Sequence, residues 1–496
     1  MSEEPSSNFT SEDFDRLGKD KLLKLFEKRK IGMFYHAVQR GKVWIPEFQP
    51  ALLSAYFRIV YHVKTIEPSN PKYYGDMYYY DYDSETYLPN AEIFFDQLIK
   101  SWWKDKYLEI KESLVFKDLR ASTYIDRRDF ELDLNYIPVS NGILKLEKND
   151  KWTYRFIPNS PEYFVIVRIS TRYDPEAKCV KFLKQLNDCL PDKRLEQTWL
   201  KQWTGDCLRR KQEFDRALIA VGDGDNGKTT IFDVIRAMLG KENTIEMSLH
   251  TLTNNRFAAA DLDHKLALIG DDLSPRDLRD TSEFLKITGG SSQLRAERKN
   301  RDAYQFEPTL KCGWPANLLP HTPDESHAFM RRWLPILFDV TFTNDPNRKA
   351  QILSSLTTPE ELSGVLNWAL EGLLDLLNND GYTNPPGPDA NRSLWRSRSG
   401  NAVVRYLYSP DVERKPDGLY LMTQFIEDVT RYALSNNIPT MTAQKIGRTI
   451  SQTFPEIFKE RRKYNGKQVW FYKGIGKKGQ EYLLDTEDIE EDDFFE

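Results

Sequence analysis

Apolar and polar positions follow a clear pattern around residue 220 of the chain. Residues 217–221 form a short, continuous apolar run, which is typical of a fully buried strand. Residues 231–239 are apolar at helical spacing, and Gly240 follows them where a helix would end. The polar, glycine-rich segment between them is therefore predicted to be a loop that joins a buried strand to a helix.

Upstream of this unit, the patterns predict β structure followed by helices. Residues 135–172 alternate like strands, including Tyr163 to Ile169, and residues 176–209 carry apolar stripes at helical spacing. An aromatic run from Tyr73 to Tyr82 alternates like a strand or a hairpin, with a turn predicted at Gly75-Asp76. Its tyrosines could stack on nucleic-acid bases, but packed cross-strand aromatics are the plainer interpretation.

Downstream, a segment rich in helix breakers separates two ordered regions. Residues 378–388 are predicted to be a linker or a long loop. Beyond it, Leu421 to Leu434 and Ala443 to Phe454 have helical spacing, and Asn465-Gly466 is a strong signal for the type I′ turn of a hairpin. Two helices followed by a hairpin are typical of a winged helix-turn-helix.

Composition indicates an ordinary globular chain. Its 496 residues allow roughly three domains at about 150 residues each, and its net charge of −5 argues against a uniformly basic nucleic-acid-binding surface. No apolar stretch approaches the roughly 18 residues of a membrane helix, and the polar, acidic start does not resemble a secretion signal. We therefore expect an intracellular, cytoplasmic protein without a membrane partner.

The four cysteines are spread along the chain without any Cys-x-x-Cys pair. Together with the six histidines they form no cluster at metal-ligand spacing, which makes a structural zinc site an unlikely interpretation. Free, buried thiols in a reducing compartment are expected instead. The cysteines are Cys179, Cys189, Cys207 and Cys312.

The loop at residues 222–230 fits Gly-x-x-x-x-Gly-Lys-[Ser/Thr], the phosphate-binding P-loop. Its glycines would let backbone N–H groups approach a phosphate at the positive end of the following helix, Lys228 would reach the β- and γ-phosphates, and Thr229 would ligate Mg²⁺. A chance glycine-rich turn is the alternative, but the flanking strand and helix have the required order. The predicted nucleotide-binding residues, with ATP and Mg²⁺ as cofactors, are Gly222, Asp223, Gly224, Asp225, Asn226, Gly227, Lys228, Thr229 and Thr230.

Hydrolysis also needs carboxylates near the metal and the attacking water. An apolar strand, Leu266 to Ile269, leads through Gly270 to two acids. Asp271 is the candidate Mg²⁺ ligand, directly or through water, and Asp272 is the candidate base or water-orienting residue. Two solvated aspartates after a strand would be the plainer interpretation without the P-loop upstream.

Further segments resemble the motifs of superfamily 3 helicases, the viral and plasmid AAA+ branch. The resemblance is to the helicase half of phage, poxvirus and plasmid primase–helicases, including replication proteins of crenarchaeal plasmids, and it covers about residues 135–480. It implies an α/β fold with an AAA+ P-loop ATPase core, an α+β N-terminal domain and a C-terminal winged helix. The motifs are Phe284-Leu-Lys-Ile-Thr-Gly-Gly-Ser-Ser292, Leu294-Arg-Ala-Glu-Arg-Lys-Asn-Arg301, Phe306-Glu-Pro-Thr-Leu310, Asn317-Leu-Leu-Pro320 and Phe329-Met-Arg-Arg-Trp333.

This resemblance assigns roles to three residues outside the P-loop. Asn317 would be the sensor that orients the hydrolytic water from a strand between the two Walker strands, although Pro315 departs from the uninterrupted strand usual there. Arg331 or Arg332 would be the arginine finger that enters the neighbouring subunit's site, and Arg332 is the preferred candidate. A turn asparagine and arginines paired with surface acids are the plainer alternatives.

Two basic segments are candidates for DNA binding. The resemblance makes residues 294–310 a channel hairpin whose tip grips single-stranded DNA, and a solvated charged turn is the alternative. Residues 439–480 carry ten Lys or Arg and two Glu, which suits duplex DNA docking by a winged helix, or else a solubility face or protein docking. The candidate DNA-binding residues are Arg298, Lys299, Arg301, Lys445, Arg448, Arg461, Arg462, Lys463 and Lys467.

The predicted domain organisation has six parts. The final segment is strongly acidic and is expected to be a solvated tail. The parts are an N-terminal α+β region (1–134), a helicase-associated β/helical domain (135–210), the ATPase core (211–377), a linker (378–400), a winged-helix domain (401–480) and the tail (481–496).

We therefore expect an ATP-dependent, ring-forming DNA helicase or translocase that acts in the replication of a plasmid, a virus or an integrated element. The resemblance implies 3′ to 5′ polarity and a homo-oligomer, expected to be a hexamer, with single-stranded DNA in its channel. A separate primase or polymerase is a possible partner. The alternatives are an AAA+ ATPase that remodels or loads proteins at an origin without unwinding, and an origin-binding protein whose ATP site controls assembly.

Overall fold

The computed structural model describes residues 9–67, 75–105, 112–126, 134–255, 257–274, 278, 280–290, 293–297, 303–342 and 346–484. The chain divides into two compact units, Met1–Asp174 and Pro175–Glu496. Each unit mixes helices with β-sheet. Within the described residues, no helix has the length and apolar character needed to cross a bilayer.

The first unit contains helices and short strands in alternation. In its described residues the helices are α1 (Ser11–Arg29), α2 (Pro50–Val60), α3 (Ala91–Trp103) and α4 (Glu112–Thr123). The strands are β1 (Tyr35–Arg40), β2 (Val43–Phe48), β3 (Lys64–Ile66), β4 (Met77–Asp81), β5 (Thr86–Leu88), β6 (Tyr124–Ile125), β7 (Tyr136–Val139), β8 (Gly142–Lys148) and β9 (Trp152–Ile157). They form sheets in the orders β1-β2, β5-β4-β3-β6 and β7-β8-β9.

Three tyrosines of the aromatic run are buried in the core of the first unit, whereas Tyr82 is 39% exposed and Tyr73 and Tyr74 lie outside the described residues. Tyr78, Tyr79 and Tyr80 on β4 are at most 9% exposed, which confirms the prediction of packed aromatics. The predicted turn at Gly75-Asp76 is wrong. The backbone N–H of Ile66 donates to the carbonyl of Asp76, so these residues continue alongside β3, and the hairpin turn follows β4 and leads into β5.

The β structure predicted for residues 135–172 is confirmed only in its first part. Strands β7, β8 and β9 pair antiparallel, but residues 163–169 make only an isolated bridge between Val139 and Ile169. The prediction of a strand there is wrong. All of these residues lie in the first unit, so the predicted boundary between residues 134 and 135 does not separate the two units.

The second unit contains the remaining described elements. Its helices are α5 (Val180–Cys189), α6 (Arg194–Asp206), α7 (Lys228–Leu239), α8 (Leu249–Asn254), α9 (Ser282–Thr288), α10 (His327–Met330), α11 (Pro346–Leu356), α12 (Pro359–Asn378), α13 (Pro388–Ser397), α14 (Ala402–Leu407), α15 (Met422–Ser435) and α16 (Ala443–Thr453). Its strands are β10 (Ala217–Val221), β11 (Thr244–Ile245), β12 (Ala267–Ile269), β13 (Leu294–Ala296), β14 (Tyr304–Phe306), β15 (Lys311–Ala316), β16 (Trp333–Leu337), β17 (Val412–Leu421), β18 (Phe458–Tyr464) and β19 (Lys467–Lys477).

A five-stranded parallel sheet organises the second unit, in the order β11-β12-β15-β10-β16. Every residue of β10 and β15 is buried, as expected for strands covered on both faces of a parallel sheet. Pro315 lies within β15 opposite Ala220. Its carbonyl accepts a hydrogen bond from the N–H of Leu273 at 2.8 Å, so the strand continues through the proline.

Much of the predicted linker is a packed helix. Helix α13 occupies residues 388–397, and the buried amide of Asn391 donates to the carbonyls of Met330 and Trp333 at 2.8 and 2.9 Å. The indole of Trp395 donates to Pro320 O at 2.8 Å. The prediction of a linker over 378–400 is therefore wrong for this helix, which belongs to the core beside β16.

The C-terminal region of the second unit combines helices α14, α15 and α16 with an antiparallel sheet in the order β17-β19-β18. The predicted helices and hairpin are confirmed. Asn465 and Gly466 both have positive φ, at 51° and 73°, as a type I′ turn requires. The four cysteines are free and buried, as expected.

Glycines let the helices that precede and follow the parallel sheet in the sequence pack closely. A Cβ added at Gly372 on α12 would lie 2.3 Å from Lys201 O on α6, and one added at Gly205 would lie 2.4 Å from Ala369 O. These distances leave no room for a side chain. The helices α6 and α12 therefore form a tight pair against which the sheet is held.

Candidate active site

The candidate residues meet at the carboxyl edge of the parallel sheet. The P-loop follows β10, the two acids follow β12, and Asn317 follows β15 directly. Since β15 pairs with both β10 and β12, Asn317 emerges between the P-loop and the acids. The carboxyl edge of a parallel sheet is where ligands bind in open α/β folds.

The P-loop has the backbone conformation that its glycines permit. Gly224 and Gly227 have φ of 107° and 84°, and Asp225 between them has φ of 44°, a region that ordinary residues seldom adopt. Gly222 is needed for a different reason: a Cβ there would lie 2.1 Å from Asn226 Nδ2 and 2.5 Å from Phe338 O. The first residue of the loop is therefore packed tightly against Asn226 and the segment after β16.

Helix α7 begins at Lys228, three residues earlier than the apolar pattern predicted. Its N-cap is Gly227, which has no side chain to accept hydrogen bonds from the first turn. The free N–H groups of that turn and the helix dipole make such an end attractive to anions. Thr229 is exposed at this end, whereas Thr230 is buried.

Lys228 is the centre of the site. Its ammonium donates to Gly222 O at 2.7 Å, to Asn226 Oδ1 at 2.8 Å and to Asn317 Oδ1 at 3.3 Å. The side chain is buried, and burial lowers the lysine pKa while the charges of Asp272, Asp223 and Asp225 act to raise it. The structure thus brings the P-loop lysine and Asn317 into direct contact.

Asn226 has a structural role that was not predicted from the sequence. While its Oδ1 accepts from Lys228, its Nδ2 donates to Phe338 O at 3.1 Å, and the side chain is buried. The neighbouring residue Asp225 is also held, because its carbonyl accepts from Phe342 N at 2.8 Å. The segment after β16 therefore fixes both the loop and its lysine, which no spacing in the motif indicates.

The two acids have different surroundings. Asp272 is exposed and close enough to Lys228 to raise the lysine pKa. Asp271 shares a hydrogen bond with Glu246, and this contact is the largest cause of the raised pKa of Glu246. The charge of Asp272 therefore acts on Lys228, whereas Asp271 is paired with Glu246, the residue that follows β11.

Two contacts hold the strand that carries these acids. Arg236 on α7 donates to Ile269 O at 3.1 Å and to Asp233 Oδ1 at 2.8 Å. Gly270 lies under the indole of Trp314, since a Cβ there would be 2.1 Å from Trp314 Cδ1. The first contact ties the P-loop helix to the strand that leads to the acids, and the second packs the end of that strand against β15. Neither was predicted from the sequence.

The adjacent arginines occupy different environments. Arg332 is buried, and its guanidinium donates to Ala328 O at 2.5 Å and to Leu285 O at 3.4 Å. Arg331 is 39% exposed and forms an ion pair with Asp215. An arginine finger must project from the surface of its own subunit to reach the neighbouring one. The partly exposed Arg331 therefore fits that role better than the buried Arg332, which was the preferred candidate.

The candidate DNA-binding hairpin is described only in its strands. Strands β13 and β14 pair antiparallel from Leu294 opposite Phe306 to Ala296 opposite Tyr304. This pairing agrees with a hairpin over residues 294–310. The tip residues Arg298, Lys299 and Arg301 lie outside the described residues, so their roles stay predictions.

The C-terminal candidates are divided between two faces of the sheet. Arg461 pairs with Trp470 and Lys463 with Gln468, so these basic residues share one face. Alternation along the strand places Arg462 on the other face, where it forms an ion pair with Glu460 at 2.6 Å. Lys467 lies opposite Tyr464 and shares that second face.

The face of Arg461 and Lys463 is also the face towards α16. The ammonium of Lys459 comes within 4.0 Å of a Cβ added at Gly447 on that helix, and Lys445 and Arg448 are exposed on the same helix. Lys459 was counted in the basic segment but was not predicted as a DNA-binding residue. Lys459 therefore lies beside α16, a helix with two exposed basic residues, and we call these residues of α16 its basic surface.

Comparison with known proteins adds little to this geometry. Residues 220–332 match a family model described as "Family of unknown function (DUF5906)". No curated protein matches the chain. Solved structures titled as apo forms of the NrS-1 C-terminal region are 12% identical; one has a TM-score of 0.38 and covers 81% of this chain and 94% of that chain, and another has a TM-score of 0.37 and covers 84% and 96%. These values are too low to carry a functional inference.

The different burial of the two arginines predicts different effects on stability. Arg332→Ala removes a buried side chain that binds two backbone carbonyls, and we expect it to lower the free energy of unfolding by ~1–3 kcal/mol. Arg331→Ala removes a partly exposed ion pair and should change it by less than about 1 kcal/mol. Chemical denaturation of both variants measures this difference. Equal losses of unfolding free energy in the two variants would contradict a structural role for Arg332.

Proposed function

We propose that this chain is an ATP-dependent, ring-forming DNA helicase or translocase that acts in the replication of a plasmid, a virus or an integrated element. One observation carries the proposal. The ammonium of Lys228 lies 3.3 Å from Asn317 Oδ1, because β15 lies between the P-loop strand and the strand that ends in the acids. A polar sensor beside the P-loop lysine is what the resemblance to superfamily 3 helicases implies.

The residues at the sheet edge fit a nucleoside triphosphate. The glycine-capped end of α7 presents N–H groups to phosphate oxygens, and Lys228 has a buried ammonium whose present partners are all oxygen atoms. A phosphate oxygen is a stronger partner for an ammonium than an amide oxygen. Lys228 would therefore bind the phosphates while Asn317 remains within reach of the same region.

Magnesium would be held mainly through the nucleotide. Among the described residues, no group of three or more His, Cys, Asp or Glu is arranged to hold a metal ion. Mg²⁺ in such sites keeps several waters and takes one or two protein ligands besides the phosphates. Thr229 and Asp271 remain the proposed ligands, and Asp272, whose charge acts on Lys228, is the proposed base or water-orienting acid.

A second subunit would complete the site. Arg331 is the proposed arginine finger, since it is partly exposed and its partner Asp215 is itself at the surface. In well-studied cases such a finger accelerates phosphoryl transfer by about 10³ to 10⁵. The ring would place single-stranded DNA against the hairpin of β13 and β14, and the basic surface of α16 would dock on duplex DNA.

Removing the P-loop lysine tests the ATPase directly. We expect Lys228→Ala to abolish ATP hydrolysis and the unwinding of a forked duplex, because the γ-phosphate loses its cationic partner. Release of phosphate and of the displaced strand are the measurements. Lys241→Ala, an exposed lysine at the other end of α7, is the matched control. Retained hydrolysis in Lys228→Ala would exclude this site as the motor.

Mixing two inactive variants tests whether the site is shared. Lys228→Ala and Arg331→Ala should each lack hydrolysis alone. In a randomly mixed ring, roughly a quarter of the interfaces combine an intact P-loop with an intact Arg331, as head-to-tail contacts allow. Hydrolysis should therefore return on mixing. A mixture that remains inactive although both variants assemble argues against Arg331 as a residue supplied in trans.

A change at the hairpin tip tests the DNA contact. We expect Lys299→Ala to keep basal ATP hydrolysis and to lose its stimulation by single-stranded DNA, because a backbone phosphate loses its partner. Hydrolysis with and without an oligothymidine is the measurement. Full stimulation of the variant by single-stranded DNA would show that the DNA contacts the protein elsewhere. A wild-type protein whose hydrolysis ignores DNA would favour the alternative of a loading ATPase.

A further inference from the structure

The first unit contains an open cavity that is unrelated to the P-loop. Its volume is about 500 Å³, within the range of cavities that hold small ligands. It lies where β3, β6, the end of α4 and the segment at residues 160–162 come together. Its lining residues are Arg58, His62, Val63, Lys64, Tyr87, Ser122, Thr123, Tyr124, Ile125, Ser160, Pro161 and Glu162.

The walls of the cavity are fixed by hydrogen bonds. Thr123 at the end of α4 bonds to Thr65 on β3 at 2.7 Å, and Tyr124 continues as a strand that pairs parallel with β3. On the opposite side the hydroxyl of Tyr87 donates to Pro161 O at 2.7 Å. The cavity is therefore a feature of the folded unit and does not depend on a loose side chain.

Two basic side chains, Arg58 and Lys64, line the cavity. Within the described residues, no ion pair or side-chain hydrogen bond involves Lys64. Arg58 binds Asp15 through one terminal nitrogen at 2.7 and 3.0 Å, while its Nε is buried without a hydrogen-bond partner. Two cationic side chains with unused hydrogen-bond donors can bind a phosphate group.

His62 adds a polar ring to the lining of the cavity. It has a φ of 46°, a conformation that is costly for a residue with a Cβ and that often occurs at binding sites. Its pKa is lowered by burial first and then by the charges of Lys19 and Lys64. A neutral imidazole beside Lys64 can donate a hydrogen bond to an anion without adding to the repulsion between the cations.

The lining also offers an aromatic ring and hydroxyl groups. Tyr124 is 40% exposed on the edge strand β6, and an exposed tyrosine ring is a platform on which a nucleobase can stack. Ser122 lies beside it on α4. Glu162 also lines the cavity, so the charge balance suits one phosphate and disfavours a triphosphate.

We propose that this cavity binds a nucleoside phosphate, with the phosphate held by Arg58, His62 and Lys64 and the base against Tyr124. The ligand is a free nucleoside monophosphate or a single nucleotide of a DNA strand, since both present the same chemistry. The site lies wholly in the first unit and is independent of ATP binding at the P-loop. It would give the N-terminal unit a direct nucleotide contact.

The test uses the full-length chain with the Lys228→Ala change, so that the P-loop does not contribute. Binding of thymidine monophosphate and of thymidine is measured by calorimetry, and a 5-iodouracil oligonucleotide is photo-cross-linked and mapped by mass spectrometry. We expect the monophosphate to bind at least about tenfold more tightly than thymidine, as one charge-assisted contact of roughly 1.4 kcal/mol implies. Lys64→Gln should remove that difference.

Matched variants separate the site from general charge effects. Lys117→Gln changes an exposed lysine on α4 and should leave binding unchanged, while Tyr124→Leu should weaken both ligands and abolish a cross-link at residue 124. Thermal unfolding confirms that each variant is folded. Binding of the free monophosphate identifies a free nucleotide as ligand, and a Tyr124 cross-link without it identifies the DNA strand. The proposal is overturned if the monophosphate does not bind and no cross-link forms at Tyr124. It is also overturned if Lys64→Gln changes neither the binding of the monophosphate nor the cross-link.

Discussion

The burial of β15 in the middle of the parallel sheet is the constraint on which the site of the second unit depends. The contact between Lys228 and Asn317 exists only because β15 is inserted between β10 and β12, and β15 can be there only if each of its side chains is buried between the covering helices. Gly313 shows how close that packing is, since a Cβ there would lie 2.8 Å from the indole of Trp203 on α6. The sheet order, the helix α6 and the site geometry are thus consequences of one buried strand.

The parts of the site that could be predicted are those encoded by local signals. Glycines mark the P-loop, an apolar run marks β10, and Asn465-Gly466 marks its hairpin, because each depends on backbone conformation within a few residues. Helix α13 could not be predicted in the same way. Its first residues follow a segment rich in proline and glycine, and it is held by distant contacts such as Asn391 with the carbonyls of Met330 and Trp333. The sequence identified Asn226 only as a member of the P-loop, because its hydrogen bond to Phe338 O also joins residues that are distant in the sequence.

The two adjacent arginines differ in burial, and the sequence alone does not reveal this difference. Arg331 and Arg332 are chemically identical, and nothing in their spacing separates them. The structure does so because Arg332 immediately precedes β16, where its backbone carbonyl accepts from Ala217 N at 2.6 Å and its side chain turns into the core. Arg331, one residue earlier, remains at the surface. The distinction depends on the register of β16 against β10, which is a tertiary property.

The segment that follows Asn317 connects the site to the C-terminal region. Leu319 exchanges backbone hydrogen bonds with Arg398 and Gly400 at 2.9 and 2.8 Å, directly before α14, and His321 lies 3.3 Å from the hydroxyl of Thr453 at the end of α16. Asn317 is only two residues from the first of these contacts. A displacement of Asn317 must therefore be absorbed within residues 317–319 or passed to the residues that carry α14 and α16, because packed elements have few intermediate positions.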